Sequence, residues 1–176
     1  GIRVYGIHGT SHQYVTRRAA KMLKKPLDAV NLITIHLGNG ASITAVKNGK
    51  SIDTSLGMTP TPGLVMGTRV GDMDPGVLIY MEEVLGINAN EIKRIINKES
   101  GLKGLTGFND VRLIQEQYLK GDQKAKLALN LYSYRIKKYI GSYLAIIGNV
   151  DAIVFTAGVG ENSDIIRKMA TDDLSH

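Results

Sequence analysis

Two Asn-Gly dipeptides, Asn39-Gly40 and Asn48-Gly49, stand between three short segments rich in β-forming residues. No other feature of the chain restricts its fold as much. Asn31 to His36 is a β-rich run, Ala41 to Val46 alternates small or polar with apolar residues, and Ser51 to Ser55 follows the second turn. Asn-Gly suits the type I′ turn because both central residues there need positive φ, so the spacing predicts two consecutive hairpins and three antiparallel strands. Residues 152 to 157 add a further apolar, β-branched run, the pattern of a buried strand.

The remaining segments read as helices and one long loop. Thr10 or Ser11 is placed to cap a helix from about residue 12 to Leu23, with Pro26 beyond its end. Gly57 to Gly76 contains Pro60, Pro62, Pro75 and five glycines with no sustained period, which predicts a loop long enough to be functional. Helices are expected over about 76–85, 90–98 and 110–119, with Gly101 to Asn109 as a glycine-punctuated connection. The longest helix is expected over 123–147, where Leu127, Leu131, Tyr134, Ile136, Ile140, Leu144 and Ile147 recur every three to four residues. Strands, then helices, then a strand and a helix argue for a layered α/β or α+β domain.

Composition removes several classes. The 176 residues suit one medium-sized core, and 43% hydrophobic with 22% charged residues is the balance of a soluble globular domain. No apolar run reaches the roughly 18 residues of a membrane span. The absence of cysteine excludes disulfides, thiolate metal sites and a cysteine nucleophile, and the expected setting is cytoplasmic. The first residues lack both a secretory pattern and an initiator Met, the expectation for a segment of a longer protein. A net charge of +6 fits either polyanion binding or a basic part of a more neutral whole. Its densest stretch, Arg17, Arg18, Lys21, Lys24 and Lys25, alternates helically with Val15, Ala19, Met22 and Leu23, the pattern of a solvated helix face. Few aromatics accompany it, so neither a nucleic-acid partner nor a membrane is expected.

Four motifs could carry chemistry. Gly38-Asn39-Gly40, at a hairpin tip beside His36, exposes backbone amides that could approach a phosphate. Gly158-Val159-Gly160-Glu161-Asn162 follows a strand and opens a helix, a place for an anionic or nucleotide group, though it lacks the third glycine of a dinucleotide fingerprint. His8 and His12 have the spacing of a helical zinc pair. Thr10 and Ser11 stand where a metalloprotease needs Glu, however, and only His36 and His176 remain as further histidines, so a loop His8 and a helical His12 are expected. Arg69, in the long loop, either pairs with Asp72 or Asp74 or meets a ligand; a planar guanidinium matches phosphoryl oxygens in shape as well as charge.

Taken in order, Tyr5-Gly-Ile-His-Gly-Thr-Ser-His12, His36-Leu-Gly-Asn-Gly-Ala-Ser42, Lys50-Ser-Ile-Asp-Thr-Ser55, Met66-Gly-Thr-Arg69, Gly71-Asp72, Asp74-Pro75, Asp110-Val-Arg112 and Phe155-Thr-Ala-Gly-Val-Gly-Glu-Asn162 resemble the acetokinase family over essentially the whole chain. That family is a branch of the actin-like, sugar-kinase and heat-shock ATPase superfamily. The resemblance implies an α/β, actin-like (ribonuclease H-like) nucleotide-binding domain with a mixed sheet. The domain would span residues 1–176 and form most of the C-terminal half of the whole protein, without the N-terminal domain and the extreme C-terminus. It implies reversible transfer of the γ-phosphoryl group of ATP to acetate, giving acetyl phosphate and ADP. Propionate or butyrate as the acceptor, and a non-catalytic actin-like module, are the alternatives.

In the implied site, His36, Leu37, Gly38, Asn39 and Gly40 line the triphosphate. Asp110, Val111 and Arg112, with Gly158, Val159, Gly160, Glu161 and Asn162, surround the adenosine, and His8 and Arg69 contact the moving phosphoryl group. Mg2+ would be held by residues outside this chain, as would acetate, so the isolated chain is expected to be inactive. A homodimer is also implied. Phe108-Asn109 departs from the two serines often found before the Asp-x-Arg element.

Overall fold

The computed structural model describes residues 1–172 and 174; His176 lies outside them. Four strands, β1 (Leu32–Leu37), β2 (Ala41–Lys47), β3 (Lys50–Thr54) and β4 (Ala152–Thr156), form one mixed sheet in the order β3-β2-β1-β4. The first three are antiparallel neighbours as expected, and β4 runs parallel to β1. Eight α-helices are described: α1 (Gly9–Met22), α2 (Gly76–Glu83), α3 (Ala89–Arg94), α4 (Gly101–Thr106), α5 (Val111–Leu119), α6 (Gln123–Ile147), α7 (Ala157–Asn162) and α8 (Asp164–Thr171).

Both sheet faces are covered, which is why β1 and β2 read as nearly continuous apolar or small runs. Ile33, Ile35, Leu37, Ile43 and Ala45 pack with Leu129, Tyr132, Ile136 and Ile140 of α6 in the main core. On the opposite face Leu32 and Val46 pack with Ala19 and Ala20 of α1. Strand alternation then leaves Thr34, His36, Ser42 and Thr44 on this second face, beneath the start of α1. The buried face of α1 is His12, Val15, Thr16, Ala19 and Ala20, whereas Met22 and Leu23, expected to share its apolar part, are exposed.

Four local expectations are corrected. Only the second turn has the left-handed pair of a type I′ turn, Asn48 at φ 52° and Gly49 at φ 72°; Asn39 and Gly40 keep negative φ. The first tip is instead held by Gly38 N–H donating to Gly40 O, and by Gly67 N–H donating to Asn39 O. Helix α1 begins at Gly9 without a side-chain cap, because the Ser11 hydroxyl is engaged by His36 and His8 turns the chain at φ 61°. The helix expected over 90–98 ends at Arg94 and continues as a π-turn, Ile95–Glu99. The connection 101–109 contains α4, whose first free N–H groups, on Leu102 and Lys103, find the carbonyls of Met66 and Gly67. Those tertiary partners offset the weak helical propensity of its glycines.

Residues 57–75 contain neither helix nor strand, yet they are fixed at many points. Val70 N–H donates to Ile96 O and Ser100 N–H to Thr68 O. Asp72 accepts from Gly63 N–H at 2.7 Å and from the Tyr139 hydroxyl at 2.7 Å, and pairs with Arg135 at 3.5 Å. The long loop is thereby tied to α4 on one side and to α6 on the other.

Candidate active site

The two glycine-bearing segments meet. Gly38 and Asn39 from the first hairpin tip, Asp110, Val111 and Arg112 from the start of α5, and Gly158, Val159 and Asn162 from α7 line one cleft of about 610 Å³. Gly67, Asn109, Gln115 and Ser163, which sequence reasoning did not select, complete its wall. A β-carbon on Gly67 would lie 2.3 Å from Asn39 Oδ1, so any larger residue there would turn the Asn39 side chain away from its present place in the cleft wall. Gly158 has open space where a side chain would be, so its backbone is accessible from the cleft.

The segment 158–162 follows a strand and is helical as expected, forming all of α7 but its first residue, Ala157, through which the chain enters from β4 at φ 66°. Gly160 faces the sheet, packed on Phe155 and near Ile35 O, and is buried. Glu161 accepts a hydrogen bond from the Thr156 hydroxyl, on the side of α7 that faces β4. The Leu37 side chain is also buried in the core, so only its main chain is available to a ligand. Asp110 caps α5 by accepting from Arg112 N–H at 2.9 Å and chelates the Arg112 guanidinium, which holds its carboxyl below the usual range.

At the Gly40 end of the tip stand Arg69 and three histidines. A β-carbon on Gly40 would meet Arg69 Nη1 at 3.2 Å and His8 Nε2 at 3.7 Å. Arg69 makes no ion pair among the described residues: its contacts are Pro60 O at 3.4 Å and Met66 Sδ at 3.7 Å. Asp72 is taken by Arg135 and Tyr139, and Asp74 caps Gly76 N–H. Of the two alternatives for Arg69, the local ion pair does not form.

His8 stacks on His36 with ring centroids 4.1 Å apart. His8 Nδ1 and His12 Nε2 each lie 2.8 Å from Ser42 Oγ, and His12 Nδ1 lies 2.8 Å from Thr34 Oγ1. The His8–His12 spacing therefore converges on a hydroxyl. All three imidazoles are biased toward neutrality. Burial lowers each pKa, that of His12 to about 4, and neighbouring His36 and Arg69 add to the effect on His8. The part of His12 in this network was not legible from spacing, because its partners, Thr34 and Ser42, lie on β1 and β2, away from its own helix.

Comparison with known proteins bears on what this arrangement is. The pattern of the Acetokinase family matches residues 1–176. The chain belongs to the acetokinase family. It is 56% identical over 173 residues to an acetate kinase of Oleidesulfovibrio alaskensis, and 55% identical over 175 residues to one of Desulfotalea psychrophila. These alignments cover 98% and 99% of this chain but 43% of each relative, so the chain spans less than half the length of the curated relatives it matches. Among solved structures, Porphyromonas gingivalis acetate kinase superposes with a TM-score of 0.96 at 51% identity, covering 99% of this chain and 44% of that one. A propionate kinase from Francisella tularensis gives 0.94 at 50% identity, covering 98% and 44%. The mixed α/β acetokinase fold expected from the motifs is the fold observed.

Proposed function

We propose that this chain is the nucleotide-binding part of an ATP:acetate phosphotransferase, with Gly38, Asn39, Asp110, Val111, Arg112, Gly158, Val159 and Asn162 receiving ATP, Gly160 and Glu161 supporting that wall from the sheet side, and Arg69 and His8 at the phosphoryl group that moves. The observation that carries the reading is Arg69. It is a guanidinium free of carboxylate partners among the described residues, beside Gly40 of the tip whose Gly38 and Asn39 line the cleft, and held there by a loop stapled to two helices.

The chemistry follows from that placement. In-line transfer to a carboxylate passes through a transition state with charge spread over the three equatorial phosphoryl oxygens. Positioning and preorganised positive potential lower its energy, and the protein need supply no nucleophile, because the acid is the nucleophile. Arg69 offers paired N–H donors in the plane of those oxygens, and a neutral His8 adds one hydrogen bond without a competing charge. Gly38 and Gly158 admit close main-chain approach of the nucleotide.

Mg2+ accompanies ATP in such reactions, but the residues here do not fit its resident site. Among the described residues no group of three or more His, Asp or Glu side chains is arranged to hold a metal ion, and Asp110, which lines the cleft, is chelated by Arg112. No step is therefore derived through the ion. A homodimer accords with the exposed apolar side chains of α2, Val77, Ile79 and Tyr80, and with Leu127 and Tyr134 on α6. No helix is long and apolar enough to cross a membrane among the described residues, which accords with a cytoplasmic enzyme.

The test is to assay the full-length gene product with ATP and acetate, propionate or butyrate, trapping acyl phosphate with hydroxylamine. Acetyl hydroxamate formed at the highest kcat/KM is expected. Preference for propionate or butyrate would reassign the acid, and no hydroxamate with any of the three would overturn the phosphotransferase reading.

A further inference from the structure

The hydrogen-bond chain behind His8 has a direction that the donors and acceptors determine. Ser42 Oγ lies 2.8 Å from two imidazole nitrogens, His8 Nδ1 and His12 Nε2, yet its hydroxyl carries one hydrogen. Ser42 and Thr34 are both fully buried, and neither hydroxyl has another partner among the described residues.

Three proton arrangements keep both imidazoles neutral and every contact a hydrogen bond. If His8 Nδ1–H donates to Ser42 and Ser42 donates to His12 Nε2, then His12 Nδ1–H must donate to Thr34, and the buried Thr34 hydroxyl hydrogen has no acceptor. If both imidazoles donate to Ser42, the Ser42 hydrogen is stranded instead. Only one order satisfies every hydrogen: Thr34 O–H donates to His12 Nδ1, His12 Nε2–H to Ser42 Oγ, and Ser42 O–H to His8 Nδ1. A stranded buried donor carries a substantial penalty, so this order dominates. It leaves the proton of His8 on Nε2, the ring nitrogen nearer Gly40, 3.7 Å from where a β-carbon there would stand.

We infer that Thr34, His12 and Ser42 are positioning residues which fix His8 in its Nε2–H form, so that it presents a hydrogen-bond donor, never an acceptor, to an anionic group bound at Gly40 and Arg69. Thr34 acts at the far end, three hydrogen bonds from His8. The identity of that anion as a phosphoryl group rests on the proposed function, whereas the tautomer does not.

The experiment is 15N NMR of the histidine rings in the full-length protein at neutral pH, with Thr34→Val and Thr34→Ser alongside. In the native protein His8 should show a pyrrole-like Nε2 and a pyridine-like Nδ1. Thr34→Val, which removes the hydroxyl and keeps the shape, should mix the two forms and lower kcat on the order of 10-fold with a smaller change in KM for ATP, while Thr34→Ser restores both. A pyrrole-like Nδ1 on native His8, or an unmixed His8 signal in folded Thr34→Val, overturns the inference. The native spectrum decides it even if the valine variant does not fold. A protein with no kinase activity but the expected spectrum would sink the proposed function alone.

Discussion

Asp72, at the far end of the loop that carries Arg69, accepts a 2.7 Å hydrogen bond from the hydroxyl of Tyr139 on α6. The bond fixes a segment without regular structure to the longest helix in the chain. Tyr139→Phe leaves the ring packing intact and removes only this tie, which should cost about 1 kcal/mol because Asp72 is partly solvated. Urea denaturation should show a lower midpoint with an unchanged slope. The loop's anchoring role would be contradicted by a variant whose midpoint equals that of the parent.

Arg69→Ala should lower acyl phosphate formation by the full-length enzyme about 100-fold to 1000-fold, as for loss of one preorganised donor to a developing anion. Arg69→Lys keeps the charge but not the fork and should recover only part of the rate. The affinity for ATP should move much less than the rate in both. Hydroxamate trapping with a parallel nucleotide titration separates the two effects, and two variants as active as the parent would remove Arg69 from the chemistry.

Gly101 has φ 62°, and a β-carbon on it would lie 2.2 Å from Met66 O and 2.6 Å from Arg69 O. Gly101→Ala should therefore destabilise the fold by about 2 kcal/mol or more and displace the Arg69 loop. Both the unfolding midpoint and kcat should fall. An alanine variant as stable as the parent would show that the backbone relaxes there at little cost.

Acid should weaken this protein through His12. Its folded-state pKa of about 4 lies below the usual 6.5, so the unfolded chain takes up its proton first as pH falls. The corresponding stability is complete above pH 6.5, declines through that value and is lost near pH 4. That pKa difference corresponds to about 3 kcal/mol at most. His8 and His36 shift in the same direction. Thermal unfolding between pH 7.5 and 5 should show a falling midpoint, and His12→Gln should flatten the slope while lowering the midpoint at neutral pH. A slope unaltered by the substitution would count against His12 as its source.

Much of this architecture is legible in the residue order because local and tertiary demands agree. The apolar period of 123–147 coincides with α6, and the Asp110 side chain caps α5 at Arg112 N–H as its position suggests. The reading fails where partners distant in sequence decide the outcome. Gly101–Thr106 looks like a loop until the carbonyls of Met66 and Gly67 supply its cap, and Asn39-Gly40 is a good type I′ signal that a hydrogen bond from Gly67 redirects. The site was legible as segments but not as a network. Ser42 and Thr34 are unremarkable strand residues until the register pairs His36 with Ser42 and places both hydroxyls under α1.

The parallel pairing of β1 with β4 joins Leu32 to Ala152 across everything between them. The β1–β2–β3 hairpins need only neighbouring residues to form, whereas β4 must wait for a long loop to close, and its entropy cost is met only once α6 has collapsed on the sheet. Since α7 follows β4 directly, the cleft wall that α7 forms is expected to be completed after the wall supplied by the β1–β2 tip. Pulse-labelled hydrogen exchange should find β4 amides protected after those of β2; simultaneous protection would contradict that sequence of events.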